Sequence, residues 1–170
     1  MPAHLKPPVN EKDHTEGSDL ATIELVEYGD YQCPHCGAAY PVIKKIQKTF
    51  GEQIRFVFRN FPLSEIHPFA MAAAVATEAA ALQDKFWEMH DIIFEHQQML
   101  NEAGLLKMAG SAGLEMEKFK KDLQRADLQQ KVEADFESGV RSGVNGTPSF
   151  FINANKFDGG AADLFNLLSS

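Results

Sequence analysis

The chain has 170 residues, 44% of them hydrophobic, with a net charge of −8 and only two cysteines. This length suits one domain that buries a sizeable core, and the acidic balance argues against nucleic acid or an anionic membrane surface as a partner. Two cysteines cannot form the disulfide framework of a small secreted scaffold.

The first part of the chain, residues 1–19, is polar and contains several prolines. We predict a flexible N-terminal arm or an extended lead-in there. Residues 1–10 lack the apolar run of a signal peptide, and no stretch approaches the ~18 apolar residues of a membrane helix. A cytoplasmic location is therefore expected for the chain as written, with a periplasmic or other extracytoplasmic location as the alternative if a leader was removed.

Residues 20–64 show a strand, a helix and a second strand. The β-branched run over 22–28 predicts a buried strand. Apolar residues then recur at helical spacing up to Gly51, which is a plausible helix end. Ile54, Phe56 and Phe58 alternate as in a strand. The pattern predicts a βαβ unit with a right-handed connection.

Residues 65–143 are helical in pattern throughout, and the period changes again in residues 144–170. The run 149–152 predicts a short apolar strand, 156–158 predicts an edge strand, and 161–168 predicts a closing helix. The chain is therefore predicted to be an α/β protein in which a helical insertion separates a βαβ half from a ββα half.

The two cysteines stand together in Cys33-Pro34-His35-Cys36, between the first strand and the following helix. At a helix N-terminus a cysteine faces unpaired backbone N–H groups and the positive end of the helix dipole. Such cysteines have pKa values of about 3.5–7.5, against about 8.5 when free. Because the thiolate is the nucleophile in disulfide exchange, this pattern predicts a redox motif.

Two other interpretations of the cysteine pair remain. A structural disulfide gains little from so short a loop, since the stabilisation grows with loop length. A structural zinc site needs four protein ligands, and the sequence offers Cys33, Cys36 and at most His35, so only a site shared in a dimer is open to it.

Taken together, the Cys33-Pro34-His35-Cys36 motif, the Gly146-Thr147-Pro148 turn and the helical insertion resemble the DsbA-like branch of the thioredoxin superfamily. The resemblance covers nearly all of the chain from about Thr22 onward. It implies a thioredoxin fold with its core in residues 20–64 and 144–170, and the insertion in 65–143.

The resemblance also implies roles for individual residues. Cys33 would be the exposed nucleophile and Cys36 the buried resolving cysteine, with Pro34 and His35 tuning the redox couple. The other implied site residues are Glu27, as a buried acid that takes up and returns the Cys36 proton, and Thr147 and Pro148, as the substrate-binding cis-proline turn.

The residues alone leave two of these roles open. Strand alternation allows Glu27 to point inward or outward. Only about 5–6% of X–Pro bonds in folded proteins are cis, so for Pro148 the cis form rests on the resemblance.

The function implied by the resemblance is dithiol–disulfide exchange with protein thiols, catalysed without a dissociable cofactor or metal. The partners would be protein thiol or disulfide substrates and an unidentified redox protein that recycles the cysteines, with no nucleic acid and no membrane segment. Two alternatives stay open, a reductase or isomerase of the same family in the cytoplasm, and a thiolate metal-binding module.

Overall fold

The computed structural model describes residues 3–170, and Met1 and Pro2 of the predicted arm lie outside the described residues. Within this range the strands are β1 (His14–Gly17), β2 (Ile23–Gly29), β3 (Ile54–Asn60), β4 (Ser149–Ile152) and β5 (Asn155–Phe157). The α-helices are α1 (Pro34–Phe50), α2 (Ala70–Ala81), α3 (Phe86–Glu95), α4 (Glu102–Ser111), α5 (Met116–Asp122), α6 (Ala126–Arg141) and α7 (Ala161–Ser169). Two short 3-10 helices cover Gly51–Gln53 and Gln97–Met99.

The strands form one sheet in the order β1-β3-β2-β4-β5. Strands β2 and β3 are parallel and are joined through α1, whereas the other pairs are antiparallel. Helices α2 to α6 occupy the interval between β3 and β4, and α7 follows β5. The predicted order, with a helical insertion between a βαβ half and a ββα half, is therefore confirmed. No helix in the described range is long and apolar enough to cross a membrane.

The central strand β2 is covered on both faces. Leu25 belongs to the larger core cluster, which also holds both cysteines, whereas Val26 and Tyr28 belong to a smaller cluster on the opposite face. Because side chains alternate along a strand, Glu27 faces the same side as Leu25. The sheet thus directs this carboxyl toward the side that carries the cysteine motif.

The segment predicted as a flexible arm packs against the sheet from Ala3 onward. Residues 14–17 form β1, paired with β3, and the side chain of Leu5 is buried. The Leu5 N–H also donates to the Ala154 carbonyl at 2.8 Å. The His-Thr-Glu-Gly sequence of β1 has no apolar pattern, so it does not predict a strand. The strand forms through backbone pairing with β3. The predicted boundaries at residues 64 and 143 stay predictions.

Candidate active site

Cys33 occupies the N-cap of α1, and Pro34 is the first helical residue. Proline suits that position because its missing N–H is one that a helix start leaves unpaired in any case. The Cys33 carbonyl accepts from Gly37 N–H at 3.0 Å, which closes the first turn. The backbone N–H groups of His35 and Cys36 in this turn face the Cys33 sulfur.

The pKa values of the two free thiols are shifted in opposite directions. A hydrogen bond from the Cys36 thiol is the largest cause that lowers the pKa of Cys33, to about 5; burial opposes it, while Thr147 and the backbone N–H groups of Cys36 and His35 assist it. Burial, followed by the hydrogen bond to Cys33 and the charge of Glu27, raises the pKa of Cys36 well above its ordinary value. At neutral pH the reduced pair therefore holds its negative charge on Cys33.

The expectation of an exposed Cys33 needs correction. Its residue is only 4% exposed, against 0% for Cys36. The reason is the Thr147 turn, whose carbonyl oxygen lies 3.8 Å from the Cys33 sulfur and accepts from it in the thiol form.

Thr147 and Pro148 lie beside the cysteine motif, and the peptide bond between them is cis. The Thr147 hydroxyl is buried, and within residues 3–170 it has no hydrogen-bond partner. An unpaired hydroxyl next to the sulfur is a donor available to the Cys33 thiolate, which fits the lowering of its pKa by Thr147. Substrate binding by this turn stays a prediction.

Pro34 and His35 are exposed at the start of α1. The contribution that the structure shows from His35 is its backbone N–H, which helps to lower the pKa of Cys33. A role for the imidazole ring in tuning the couple stays a prediction.

Glu27 points inward, the first of the two orientations that strand alternation allowed. It is 3% exposed, and in β2 it lies between Phe58 of β3 and Phe150 of β4. Burial, with a smaller contribution from the charge of Cys33, raises its pKa to about 8. At neutral pH this carboxyl is therefore protonated for most of the time and can supply a proton.

Asp30 is a site residue that sequence reasoning missed. Its buried carboxylate accepts from Gln32 N–H at 2.8 Å and Leu63 N–H at 2.9 Å, and its Oδ2 lies 2.7 Å from His67 Nδ1. The Asp30 N–H donates to the Cys36 sulfur at 3.5 Å. Asp30 thus ties the cysteine loop to the loop after β3. The sequence signal that could have identified Asp30 is its position three residues before Cys33.

Gln97, in the 3-10 helix after α3, is a second missed residue. Its Nε2 donates to the carbonyls of Tyr31 at 2.8 Å and Cys33 at 3.0 Å. Gly37 makes room for this amide, since a side-chain carbon there would overlap Gln97 Oε1. No pattern in the sequence relates Gln97 to Cys33, so only the fold brings them together.

The metal interpretation finds no ligand set in the part of the chain that the structure describes. No group of three or more His, Cys, Asp or Glu side chains there is arranged to hold an ion. Cys33 and Cys36 therefore lack the further ligands that a site within one chain would need.

Comparison with known proteins gives the family. A protein-family model described as thioredoxin matches residues 9–164. The chain belongs to the thioredoxin superfamily. Within this superfamily the chain is DsbA-like, as the sequence motifs predicted. Solved structures confirm the predicted fold class.

Two solved structures illustrate the similarity of this DsbA-like chain to others. BdbD from Bacillus subtilis superposes with a TM-score of 0.84 at 26% identity, covering 99% of this chain and 96% of that one. The thiol-disulfide exchange protein alpha-DsbA2 from Wolbachia pipientis gives a TM-score of 0.82 at 23% identity, covering 94% and 85%. The second likeness concerns the fold alone.

Part of a much longer curated protein also matches this chain. The Na(+)/H(+) antiporter NhaA 3 of Salinispora tropica is 38% identical over 149 residues, which are 88% of this chain and 23% of the antiporter. The chain thus spans about a quarter of the length of the curated relatives it matches.

Proposed function

We propose that this DsbA-like protein catalyses dithiol–disulfide exchange with protein thiols through Cys33 and Cys36. The observation that carries the proposal is the geometry of the pair, with Cys33 at the N-cap of α1 and hydrogen-bonded to the buried Cys36 thiol. This geometry lowers the pKa of Cys33 to about 5 and raises the pKa of Cys36. A thiol of low pKa leaves readily from a mixed disulfide. Cys33 is therefore the sulfur that exchanges with substrate, and Cys36 is the sulfur that closes or opens the internal disulfide.

In the oxidising direction, a substrate thiolate attacks Cys33 in the Cys33–Cys36 disulfide. The internal S–S bond breaks, a mixed disulfide forms, and Cys36 leaves as a thiolate that takes the Glu27 proton. A second substrate thiolate then attacks the substrate sulfur of the mixed disulfide and releases Cys33 as a thiolate. The substrate gains one disulfide, and the protein gains the two electrons as a reduced cysteine pair.

The low pKa of Cys33 also supports a direction. Stabilising the thiolate stabilises the reduced protein, which makes its disulfide a stronger oxidant. We therefore propose oxidation of substrate thiols as the physiological direction, in an extracytoplasmic compartment where disulfides persist. A separate redox protein would then reoxidise the pair.

Alkylation of the reduced protein tests the assignment of the two sulfurs. The rate of iodoacetamide modification should rise with pH around a midpoint near 5, the pKa of Cys33. Peptide mapping should find the label on Cys33 and leave Cys36 unlabelled until the protein is denatured. A midpoint near the pKa of a free thiol, about 8.5, or equal labelling of both cysteines would contradict the proposal.

A further inference from the structure

A groove of about 600 Å³ lies between the loop after β3 and helix α6. Its apolar lining comes from Leu63, Ile66, Met71 and Phe136. The side chain of Ile66 is 68% exposed, and it adjoins the other apolar residues of the lining, so together they form an exposed apolar patch. The groove therefore offers apolar surface to a bound molecule.

The charged residues that line this groove are all acidic. They are Glu65 from the loop and Glu133 and Glu137 from α6, with no lysine or arginine among the described lining residues. The Arg141 guanidinium lies 3.9 Å from the Glu137 carboxylate, and both side chains are exposed, so this ion pair is weak. Apolar surface edged by carboxylates complements an apolar side chain that stands next to a cationic one.

The groove is preformed by packing beneath it. The rings of Phe61 and Phe136 stack with their centroids 4.2 Å apart, which fixes α6 against the loop. Gly139 permits this approach, since a side-chain carbon there would come within 2.7 Å of the Phe61 ring. A rigid groove binds its ligand without first having to order the wall.

The groove is also attached to the cysteine motif. Leu63, one of its lining residues, donates its N–H to the Asp30 carboxylate at 2.9 Å, and the Asp30 N–H donates to the Cys36 sulfur at 3.5 Å. The Phe61 N–H further binds the Gly29 carbonyl at 2.8 Å. One short network therefore positions both the groove wall and the resolving cysteine.

We propose that this groove binds substrate polypeptides through a segment in which an apolar side chain adjoins a lysine or arginine. The proposal rests on the exchange function above and adds a sequence preference to it. The oxidised protein converts the substrate dithiol to a disulfide by the steps given above, and the groove contributes only to substrate binding. A second copy of this chain is a poorer occupant, because each copy carries a net charge of −8.

Three synthetic dithiol peptides test the proposal, identical except that the two cysteines are flanked by Leu-Lys, Leu-Glu or Ser-Lys. The second-order rate constant for single-turnover oxidation of each is divided by that for dithiothreitol, which is too small to fill the groove. Leu-Lys should exceed Leu-Glu by about two- to tenfold, the range expected for one or two exposed charge pairs. It should also exceed Ser-Lys, which lacks the apolar side chain that the groove would bury. Added salt should reduce its advantage over Leu-Glu.

Variants then locate the preference. The double change Glu133→Lys and Glu137→Lys should invert the order of Leu-Lys and Leu-Glu, and Ile66→Ser should bring Leu-Lys close to Ser-Lys. Glu52→Lys with Glu117→Lys is the matched control, since both residues are exposed, lie outside the groove lining and give the same change in net charge. The control should keep the order found for the unmodified protein.

Three results would overturn the inference. They are equal rates for the peptides, inversion by the control as well as by the groove variant, and a change of oligomeric state as the sole effect of Glu133→Lys with Glu137→Lys. If dithiothreitol and every peptide fail to react, the proposed function falls and this inference falls with it. Equal peptide rates alongside normal oxidation of dithiothreitol would overturn the groove preference alone.

Discussion

Replacing Cys33 with serine is expected to abolish dithiol–disulfide exchange. The serine hydroxyl neither ionises near neutral pH nor forms a disulfide, so both the nucleophile and the internal S–S bond are lost. The expected rate with a reduced dithiol peptide is the rate without protein. The measurement is oxidation of that peptide by a stoichiometric amount of protein that has been treated with an oxidant.

Cys36→Ser is the matched variant, and its expected result is different. Cys33 remains reactive toward a substrate disulfide: its thiolate attacks one substrate sulfur, the substrate S–S bond breaks, and the other substrate sulfur leaves as a thiolate. No internal thiol can then displace the bound substrate, so mixed disulfides should accumulate when the reduced variant is given a disulfide substrate. They are detected as reducible adducts in non-reducing electrophoresis and by mass. Full turnover by Cys36→Ser, or adduct formation by Cys33→Ser, would reverse the roles assigned to the two sulfurs.

Glu27→Gln is expected to change how stability depends on pH. Burial raises the pKa of Glu27 from 4.5 to about 8, so between these values the folded protein keeps a proton that the unfolded chain has lost. The free energy of unfolding therefore falls as pH rises through this window. At about 1.4 kcal/mol per pKa unit, the loss amounts to up to about 5 kcal/mol. Glutamine carries no charge in either state and lacks this loss.

Cys33 titrates in the opposite sense, so the wild-type curve alone does not isolate Glu27. The pKa of Cys33 is lowered from 9.0 to about 5, and stability from this thiol grows as pH rises. The difference between the reduced wild type and reduced Glu27→Gln, measured by urea unfolding at several pH values, removes the Cys33 contribution. That difference should shift in favour of the variant toward pH 8. A difference that is constant with pH would contradict an inward carboxyl with a raised pKa.

Much of the fold follows from local patterns in the sequence. The alternation of Ile54, Phe56 and Phe58 predicts the strand at 54–60, and Gly51 predicts the end of α1. These features depend on neighbouring residues, which is why the sequence predicts them.

Other features depend on contacts between distant parts of the chain. Strand β1 is polar and is placed by pairing with β3, and Gln97 reaches Cys33 across 64 positions through one side-chain amide. Asp30 gains its importance from Leu63 and His67, which have no recognisable spacing from it. Side chain–backbone contacts of this kind carry no periodicity, so sequence patterns do not reveal them.

The equilibrium reduction potential of the Cys33–Cys36 pair against glutathione is the most direct test of the proposed oxidising role. The low pKa of Cys33 stabilises the reduced protein, so we predict an oxidising couple, with a potential nearer the roughly −120 mV of DsbA than that of thioredoxin. A potential near about −270 mV, as in thioredoxin, would contradict the oxidising direction and make the protein a reductase.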